Sequence, residues 1–171
     1  LICHLRALSR NSVTYRGVLK FFSRLLLRMM GWKALVPSAN PLQSVICVAP
    51  HTSNYDFLLG KLYYWSIGRK AGFLMKKEWF FFPLGPIFRA MGGIPIDRSK
   101  RGSTVEQVRE FFQRHAVFNV AITPEGTRDY SPQWKTGFYR IAVGAGVPIQ
   151  LAVIDYSYKE MSVFELFTPT V

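Results

Sequence analysis

The sequence is poor in cysteine, in acidic residues and in long apolar runs. Its 171 residues include two cysteines, Cys3 and Cys47, whose number and spacing suit neither a disulfide framework nor a metal site. Ten acidic residues stand against 22 basic ones, for a net charge of +12. We therefore expect an anionic partner, which is a nucleic acid, a membrane surface or a phosphorylated substrate. No uninterrupted apolar run approaches the ~18–20 residues that a membrane-spanning helix needs.

The order of apolar segments predicts the fold class. The length suits one domain with a real core. Strand-like and helix-like segments alternate, which predicts an α/β domain over residues 44–171 with a central, mostly parallel sheet flanked by helices. The predicted helices are 56–67, 103–114 and 137–144, and the predicted strands are 44–49, 73–75, 94–96, 117–122, 147–156 and 161–167. Because the chain ends directly after an apolar run, we expect a C-terminal segment to be missing.

The N-terminal region divides at about residue 15. Residues 1–14 are basic and aperiodic, and we expect them to be loosely ordered. Residues 15–31 predict a helix whose apolar face is wide and whose basic residues recur every fourth position, at Arg16, Lys20, Arg24 and Arg28. This pattern is typical of an amphipathic helix in a membrane interface, where four basic residues contribute roughly 4 kcal/mol near anionic lipid. The alternative is a first helix packed on the domain's own core.

Residues 78–91 form a densely aromatic stretch. Its sequence is E-W-F-F-F-P-L-G-P-I-F-R-A-M, in which Pro83, Gly85 and Pro86 prevent one regular helix. The stretch either folds into the core or lines an apolar groove.

The candidate catalytic pair lies in the sequence P-H-T-S-N-Y-D. His51 follows the carboxyl end of the strand 44–49, where ligands of open α/β sheets bind, and Asp56 follows five residues later. A histidine near a strand end is often structural, but a histidine oriented by a carboxylate is a competent general base. Ser53 is better explained as a helix cap, and Cys47 as part of the core. With no nucleophile evident, we expect the base to act on a hydroxyl of the substrate.

Two further clusters follow predicted strands. The sequence T-P-E-G-T-R runs from Thr123 to Arg128, and G-G-I-P-I-D-R runs from Gly92 to Arg98. Arginine suits bidentate phosphate contact. By itself, the first cluster fits an ordinary turn, and the second fits a surface Asp–Arg pair.

Four blocks follow one another over about residues 45–155: H-T-S-N-Y-D, G-G-I-P-I-D-R, P-E-G-T-R and V-P-I-Q-L-A-V. Together and in this order, they resemble the glycerolipid acyltransferase family. The best-known members are the 1-acylglycerol-3-phosphate acyltransferases. The resemblance implies that His51 is the general base, that Asp56 orients it, and that Arg98 and Arg128 hold the acceptor phosphate. It also implies that Glu125, Gly126 and Thr127 belong to the same substrate-binding site. The chain departs from the usual family residues near the binding groove at Pro50, Thr123 and Leu151.

The resemblance implies transfer of a fatty acyl group from an acyl-CoA or acyl-carrier-protein thioester to a lysophospholipid hydroxyl, in phospholipid biosynthesis. It implies no cofactor, no metal and no nucleic-acid partner. It also implies a protein associated with an anionic membrane surface on the cytoplasmic face, held peripherally or monotopically. The alternatives are another acceptor, such as an amino-acid-based lysolipid, and a basic nucleic-acid-binding or non-catalytic lipid-binding protein. Against the nucleic-acid alternative, the basic residues are spread over many segments and no nucleic-acid motif appears.

Overall fold

The computed structural model describes residues 2–97, 99, 103–129 and 131–170. For residues 2–14 and for Ser103 it describes the backbone alone. The helices are α1 (Ile2–Met29), α2 (Asn54–Ser66), α3 (Leu84–Ala90), α4 (Ser103–Arg114) and α5 (Gly137–Ala145), with one 3-10 turn at Lys77–Trp79. The strands are β1 (Lys33–Ala34), β2 (Gln43–Val48), β3 (Gly72–Lys76), β4 (Gly93–Ile96), β5 (Phe118–Ile122), β6 (Ile149–Asp155) and β7 (Glu160–Phe167).

These strands form one sheet in the order β1-β7-β6-β2-β5-β3-β4. Every neighbouring pair is parallel except β6 and β7, which are antiparallel. At the centre, Val45 of β2 stands opposite Ile149 on one side and Val120 on the other, and all three are fully buried. The predicted fold class is therefore confirmed.

The sheet carries a core on each face because β2 alternates its side chains. Val45 and Cys47 belong to one buried cluster, together with residues of α4 and α5 such as Val108 and Ile141. Ile46 belongs to the opposite cluster, with Leu27 of α1 and residues of α2.

Helix α1 is longer than the sequence predicts. It begins at Ile2, not at residue 15, and ends at Met29, just before Gly31 with its φ of +78°. Helical backbone thus includes residues 2–14, which contain no proline or glycine to interrupt it. Whether that segment is loosely ordered stays a prediction.

One narrow stripe of α1 packs on the domain. Ser23 and Leu27 are buried, and the Nε–H of Arg24 donates a 2.8 Å hydrogen bond to the carbonyl oxygen of Ser66 in α2. A wide apolar arc remains exposed, formed by Val18, Phe21, Phe22, Leu25, Leu26 and Met29. Among the described residues, no helix combines the length and the apolarity that crossing a membrane requires.

Most of the aromatic stretch 78–91 does not fold into the core, and the alternative that it lines an apolar groove stays a prediction. The stretch contains the end of the 3-10 turn and then α3, and Trp79, Phe81 and Phe82 are exposed. Pro83 precedes α3, and Gly85 and Pro86 lie in its first turn, where a missing N–H costs the helix no internal hydrogen bond.

Candidate functional site

The carboxyl ends of β6, β2 and β5 meet at one edge of the sheet because these neighbouring strands are parallel. His51 follows β2, the loop at 123–128 follows β5, and Tyr156 follows β6. The loop after β4, which leads to Arg98, lies on the same edge but two strands beyond β5.

His51 and Asp56 form a close pair at this edge. The His51 Nδ1 atom lies 3.1 Å from Asp56 Oδ2. The Asp56 side chain is 3% exposed and the His51 side chain 20%. An ionised carboxylate can only accept hydrogen bonds, so the proton of a neutral His51 resides on Nδ1 and Nε2 keeps a lone pair. Within the described part of the chain, Nε2 has no hydrogen-bond partner, so it is available to a substrate proton.

The spacing of the pair follows from the way α2 begins. Ser53 is the N-cap residue, and its hydroxyl accepts a hydrogen bond from the Tyr55 N–H at 3.1 Å. Asp56 stands three residues later, where its Oδ2 accepts from the Ser53 N–H at 2.9 Å and from the Thr52 N–H at 2.7 Å. Such a capping arrangement is worth ~1 kcal/mol. One carboxylate therefore starts the helix and orients His51, and the prediction that Ser53 is a cap is confirmed.

The second oxygen of Asp56 is held by a residue that the sequence motifs do not include. The Tyr156 hydroxyl, directly after β6, donates a hydrogen bond to Asp56 Oδ1. The Tyr156 ring meets Trp32 edge-on, with ring centres 5.2 Å apart. The feature of the sequence that could have identified Tyr156 is its position directly after a strand that ends at the same sheet edge as β2.

These contacts set the charge of Asp56. Burial by itself would raise the pKa of this carboxyl, but hydrogen bonds from Tyr156, Ser53 and Thr52, together with the neighbouring His51, outweigh burial and lower it. Burial of the Tyr156 hydroxyl and its hydrogen bond to Asp56 raise the pKa of that phenol. At neutral pH, Asp56 is thus an anion and Tyr156 a neutral donor.

Glu125 joins the predicted loop at 123–128 to the histidine turn. Its Oε2 accepts a hydrogen bond from the backbone N–H of His51 at 2.8 Å. Gly126 has a φ of +65°, and a Cβ there would stand 2.7 Å from Lys135 Nζ. The lysine side chain can move aside, so the positive φ, which strains any residue with a Cβ, is what explains the glycine.

Thr127 and Arg128 lie on the same loop but do not contact the His51–Asp56 pair. The Thr127 hydroxyl accepts a hydrogen bond from the Asp129 N–H at 3.2 Å, which stabilises the turn. Arg128 is exposed, and its guanidinium makes no hydrogen bond or ion pair with another described residue.

Arg98 lies outside the described residues, but the residue before it is well anchored. Lys77 Nζ stands 2.6 Å from Asp97 Oδ2, and hydrogen bonds from Lys77 and Ser99 lower the pKa of Asp97. The Gln107 side chain of α4 bonds both the N–H and the carbonyl oxygen of Asp97, each at 3.0 Å. This anchor fixes the end of β4.

An apolar groove of about 340 Å³ opens beside the pair. It includes Pro50, which precedes His51 in the chain, and Glu125, and its other lining residues are Cys47, Ala49, Trp134, Leu151, Ala152, Val153 and Phe164. Pro50 and Leu151 are two of the positions that depart from the family pattern. The aromatic stretch 78–91 contributes none of this lining.

Cys47 is unsuited to nucleophilic catalysis. Burial, with the charge of Glu125 as a second cause, raises the pKa of this thiol to about 11. The thiolate is the reactive form, so it is scarce at neutral pH. Among the described residues, no three histidine, cysteine or acidic side chains are grouped closely enough to hold a metal ion.

Known proteins resemble this chain in sequence and in fold. A family model described as Acyltransferase matches residues 36–155, more than half of the chain. The 1-acyl-sn-glycerol-3-phosphate acyltransferases of Salmonella typhimurium and Escherichia coli are 30% identical over 113 residues and 31% over 114, respectively. Each match covers 62% of this chain and 44% of the relative, so the chain spans less than half of their length.

A solved structure supports the same fold. The 1-acyl-sn-glycerophosphate acyltransferase PlsC from Thermotoga maritima superposes with a TM-score of 0.54 at 20% identity. The match covers 84% of this chain and 58% of that one.

Proposed function

The chain belongs to the acyltransferase family, and we propose that it transfers a fatty acyl group from a thioester to the hydroxyl of a lysophospholipid. The proposed donor is an acyl-CoA or acyl-carrier protein, and the proposed acceptor is 1-acylglycerol 3-phosphate. The observation that carries the proposal is the His51–Asp56 pair, with Asp56 held through both oxygens and His51 Nε2 unbonded to the described residues.

The proposed step needs one base and no covalent enzyme intermediate. His51 Nε2 takes the acceptor hydroxyl proton while the oxygen attacks the thioester carbonyl carbon. The tetrahedral intermediate then expels the thiolate, which takes the proton from His51 and leaves as a thiol. Asp56 keeps Nδ1 protonated and stabilises the transient imidazolium. A positioned base of this kind contributes ~10²–10⁴ in rate.

Arg98 and Arg128 are proposed to bind the phosphate of the acceptor. The exposed guanidinium of Arg128 offers its donors to an incoming anion, which suits bidentate phosphate contact. Glu125 links this loop to the backbone of His51. We propose that this hydrogen bond keeps the bound phosphate at a fixed distance from His51. The acceptor hydroxyl is then held close to the base, which favours the reaction.

The groove beside His51 is proposed to hold an acyl chain. Its lining is apolar apart from Glu125, and its volume suits part of a chain more than a headgroup. Trp134, Leu151 and Phe164 are the large side chains that would limit its length.

Helix α1 is proposed to lie in the membrane interface. Leu27 and Ser23 hold one stripe on the domain, while Phe21, Phe22 and Leu25 belong to the exposed arc. The exposed basic residues Arg16 and Arg28 accompany this apolar arc and suit the surface of an anionic bilayer, whereas Arg24 is bonded to Ser66 of α2. Peripheral association with the cytoplasmic membrane face is part of the proposal.

The first test measures what the protein acylates. Purified protein is given acyl-CoA or acyl-carrier protein with a panel of lysolipids, and the products are identified by mass spectrometry. We expect acylation of 1-acylglycerol 3-phosphate, with thiol release matching product. Preferred acylation of an amino-acid-based lysolipid would show that the proposed acceptor is wrong while the proposed acyl transfer is right. Lysolipid binding without thiol release would indicate a non-catalytic lipid-binding protein, and DNA binding stronger than liposome binding would favour the nucleic-acid alternative.

The second test measures membrane binding. Phe22→Ser should lower co-sedimentation with vesicles of anionic phospholipid because it removes an exposed apolar side chain from the arc. Val117→Ser is the matched control: Val117 is 65% exposed, against 60% for Phe22, but it lies between α4 and β5, and α4 packs on the face of the sheet opposite to α1. Equal binding by the two variants would contradict the role of α1.

A further inference from the structure

The Tyr156 hydroxyl donates a hydrogen bond to the Asp56 carboxylate, although 44% of the residue is exposed, and Tyr156 belongs to none of the motifs on which the proposed function depends. It follows β6 and is 100 residues beyond Asp56, the residue that it contacts. Acyl transfer as described above uses His51 and Asp56 without it.

The two oxygens of Asp56 have different partners. Oδ2 is bonded by His51 Nδ1 and by the N–H groups of Thr52 and Ser53, all within five residues of Asp56 in the chain. Oδ1 is bonded by Tyr156, from another strand. One anchored oxygen leaves a carboxylate free to rotate about that point, whereas two anchored oxygens fix its plane.

The Tyr156 ring is itself held in place. Trp32 meets it at an interplanar angle of 85°, and Trp32 is buried. The backbone N–H of Trp32 donates a 2.8 Å hydrogen bond to the carbonyl oxygen of Leu27 in the last turn of α1. The turn that ends α1 therefore sets the position of the phenol.

We propose that Tyr156 is a positioning residue of the His51–Asp56 pair, because its hydroxyl fixes the Asp56 carboxylate in the plane that presents His51 Nε2 to the acceptor hydroxyl. This inference rests on the proposed acyl transfer. Tyr156 moves no proton in the reaction. The raised pKa of its phenol keeps it a donor throughout the neutral range.

The test is a double-mutant cycle in the acyl-transfer assay. Tyr156→Phe should lower kcat about tenfold, the effect of losing one hydrogen bond to a charged group, and should leave KM for donor and acceptor unchanged. In an Asp56→Ala background, the same substitution should cost less than about twofold, since its partner is gone. Tyr158→Phe is the control, because Tyr158 lies two residues away, is exposed, and its hydroxyl bonds no other described residue.

Two outcomes would overturn the inference. An unchanged kcat in Tyr156→Phe would show that the hydroxyl does not matter. If Tyr156→Phe still lowers kcat tenfold in the Asp56→Ala background, Tyr156 acts through the fold and not through Asp56.

A measurement without substrate separates this inference from the proposed function. Because the pKa of Asp56 is lowered in the fold, its ionised form stabilises the protein above the unfolded-state value of ~3.9, and this contribution is lost as the pH falls through the folded-state pKa. Tyr156→Phe should therefore lower Tm at pH 7, and the difference from the parent protein should shrink below pH ~3.9. If this pH-dependent Tm difference is observed but the protein shows no acyl transfer, the proposed function is rejected and the contact between Tyr156 and Asp56 is still supported. A Tm difference independent of pH would reject the contact.

Discussion

The carboxylate of Asp56 and the guanidinium of Arg128 stand at the same edge of one sheet and differ in almost every physical respect. Asp56 is buried and receives hydrogen bonds on both oxygens, from Tyr156, His51 and two backbone N–H groups. Arg128 is exposed and makes no hydrogen bond or ion pair with another residue that the structure describes. One group is fixed before substrate arrives, and the other has its donors free.

The difference corresponds to two tasks. A general base works only in one orientation and one tautomer, so its partner must be held in advance. A group that binds phosphate gains its hydrogen bonds from the ligand, and internal partners would compete with the ligand for them. On this account, substitutions at Asp56 should affect kcat and stability, and substitutions at Arg128 should affect KM.

The largest expected effect is that of Asp56→Ala. Loss of the carboxylate removes the group that orients His51 and also the capping contact of α2, so kcat should fall about 10³-fold and Tm should drop. Steady-state kinetics and thermal unfolding check both effects. Glu110→Ala, which removes a surface acid from α4, is the control and should change neither quantity. Normal turnover in Asp56→Ala would show that catalysis does not need the Asp56 carboxylate to orient His51.

Arg128→Ala should produce the next largest effect. It should raise KM for the lysolipid about tenfold or more, because a charged phosphate contact is lost, while Tm stays the same. Arg114→Ala, another exposed arginine but on α4, is the matched control. If KM for the acyl donor rises in place of KM for the lysolipid, Arg128 belongs to a different binding site.

Gly126→Ala tests whether the loop that carries Arg128 depends on its backbone. The backbone at this position has a φ of +65°, which strains a residue that carries a Cβ, so we expect a loss of ~1 kcal/mol in the free energy of unfolding and a moderate rise in the lysolipid KM. Gly137→Ala is the control, since nothing lies within 4 Å of a Cβ there. Equal denaturation midpoints for the two variants would contradict the strain.

The smallest expected effect concerns Cys47. With its pKa raised to about 11, this thiol should react slowly with iodoacetamide at pH 8 in the folded protein, and Cys47→Ala should keep kcat within about twofold. Peptide mass spectrometry of the Cys47 peptide gives the rate, with urea-unfolded protein as the reference. Rapid labelling in the folded state would reopen the possibility of a thiol nucleophile.

The sequence predicted the segments well and the contacts between them poorly. Periodicity and turn residues located α4 and the strands of the central sheet within a few residues, and the four motifs led to the His51–Asp56 pair. Periodicity does not reveal strand order, so it gave no indication that the two-residue strand β1 pairs with β7. For that reason, no predicted strand covers Lys33–Ala34.

The contacts that anchor the site come from distant parts of the chain. Tyr156 reaches Asp56, Gln107 holds the backbone of Asp97, and Glu125 bonds the backbone of His51. Each depends on which strand ends and helices become neighbours, which is a property of the folded sheet. The local H-x-x-x-x-D spacing was visible because both of its residues belong to one helix start.

The general-base role of His51 is tested by comparing His51→Ala with Cys47→Ala in the assay of acyl transfer to 1-acylglycerol 3-phosphate. Both side chains lie close to the groove, but only His51 is proposed to transfer a proton. We predict that His51→Ala loses at least ~10³-fold in kcat with its fold intact by circular dichroism, while Cys47→Ala keeps nearly full activity. Near-normal turnover by folded His51→Ala would contradict the account.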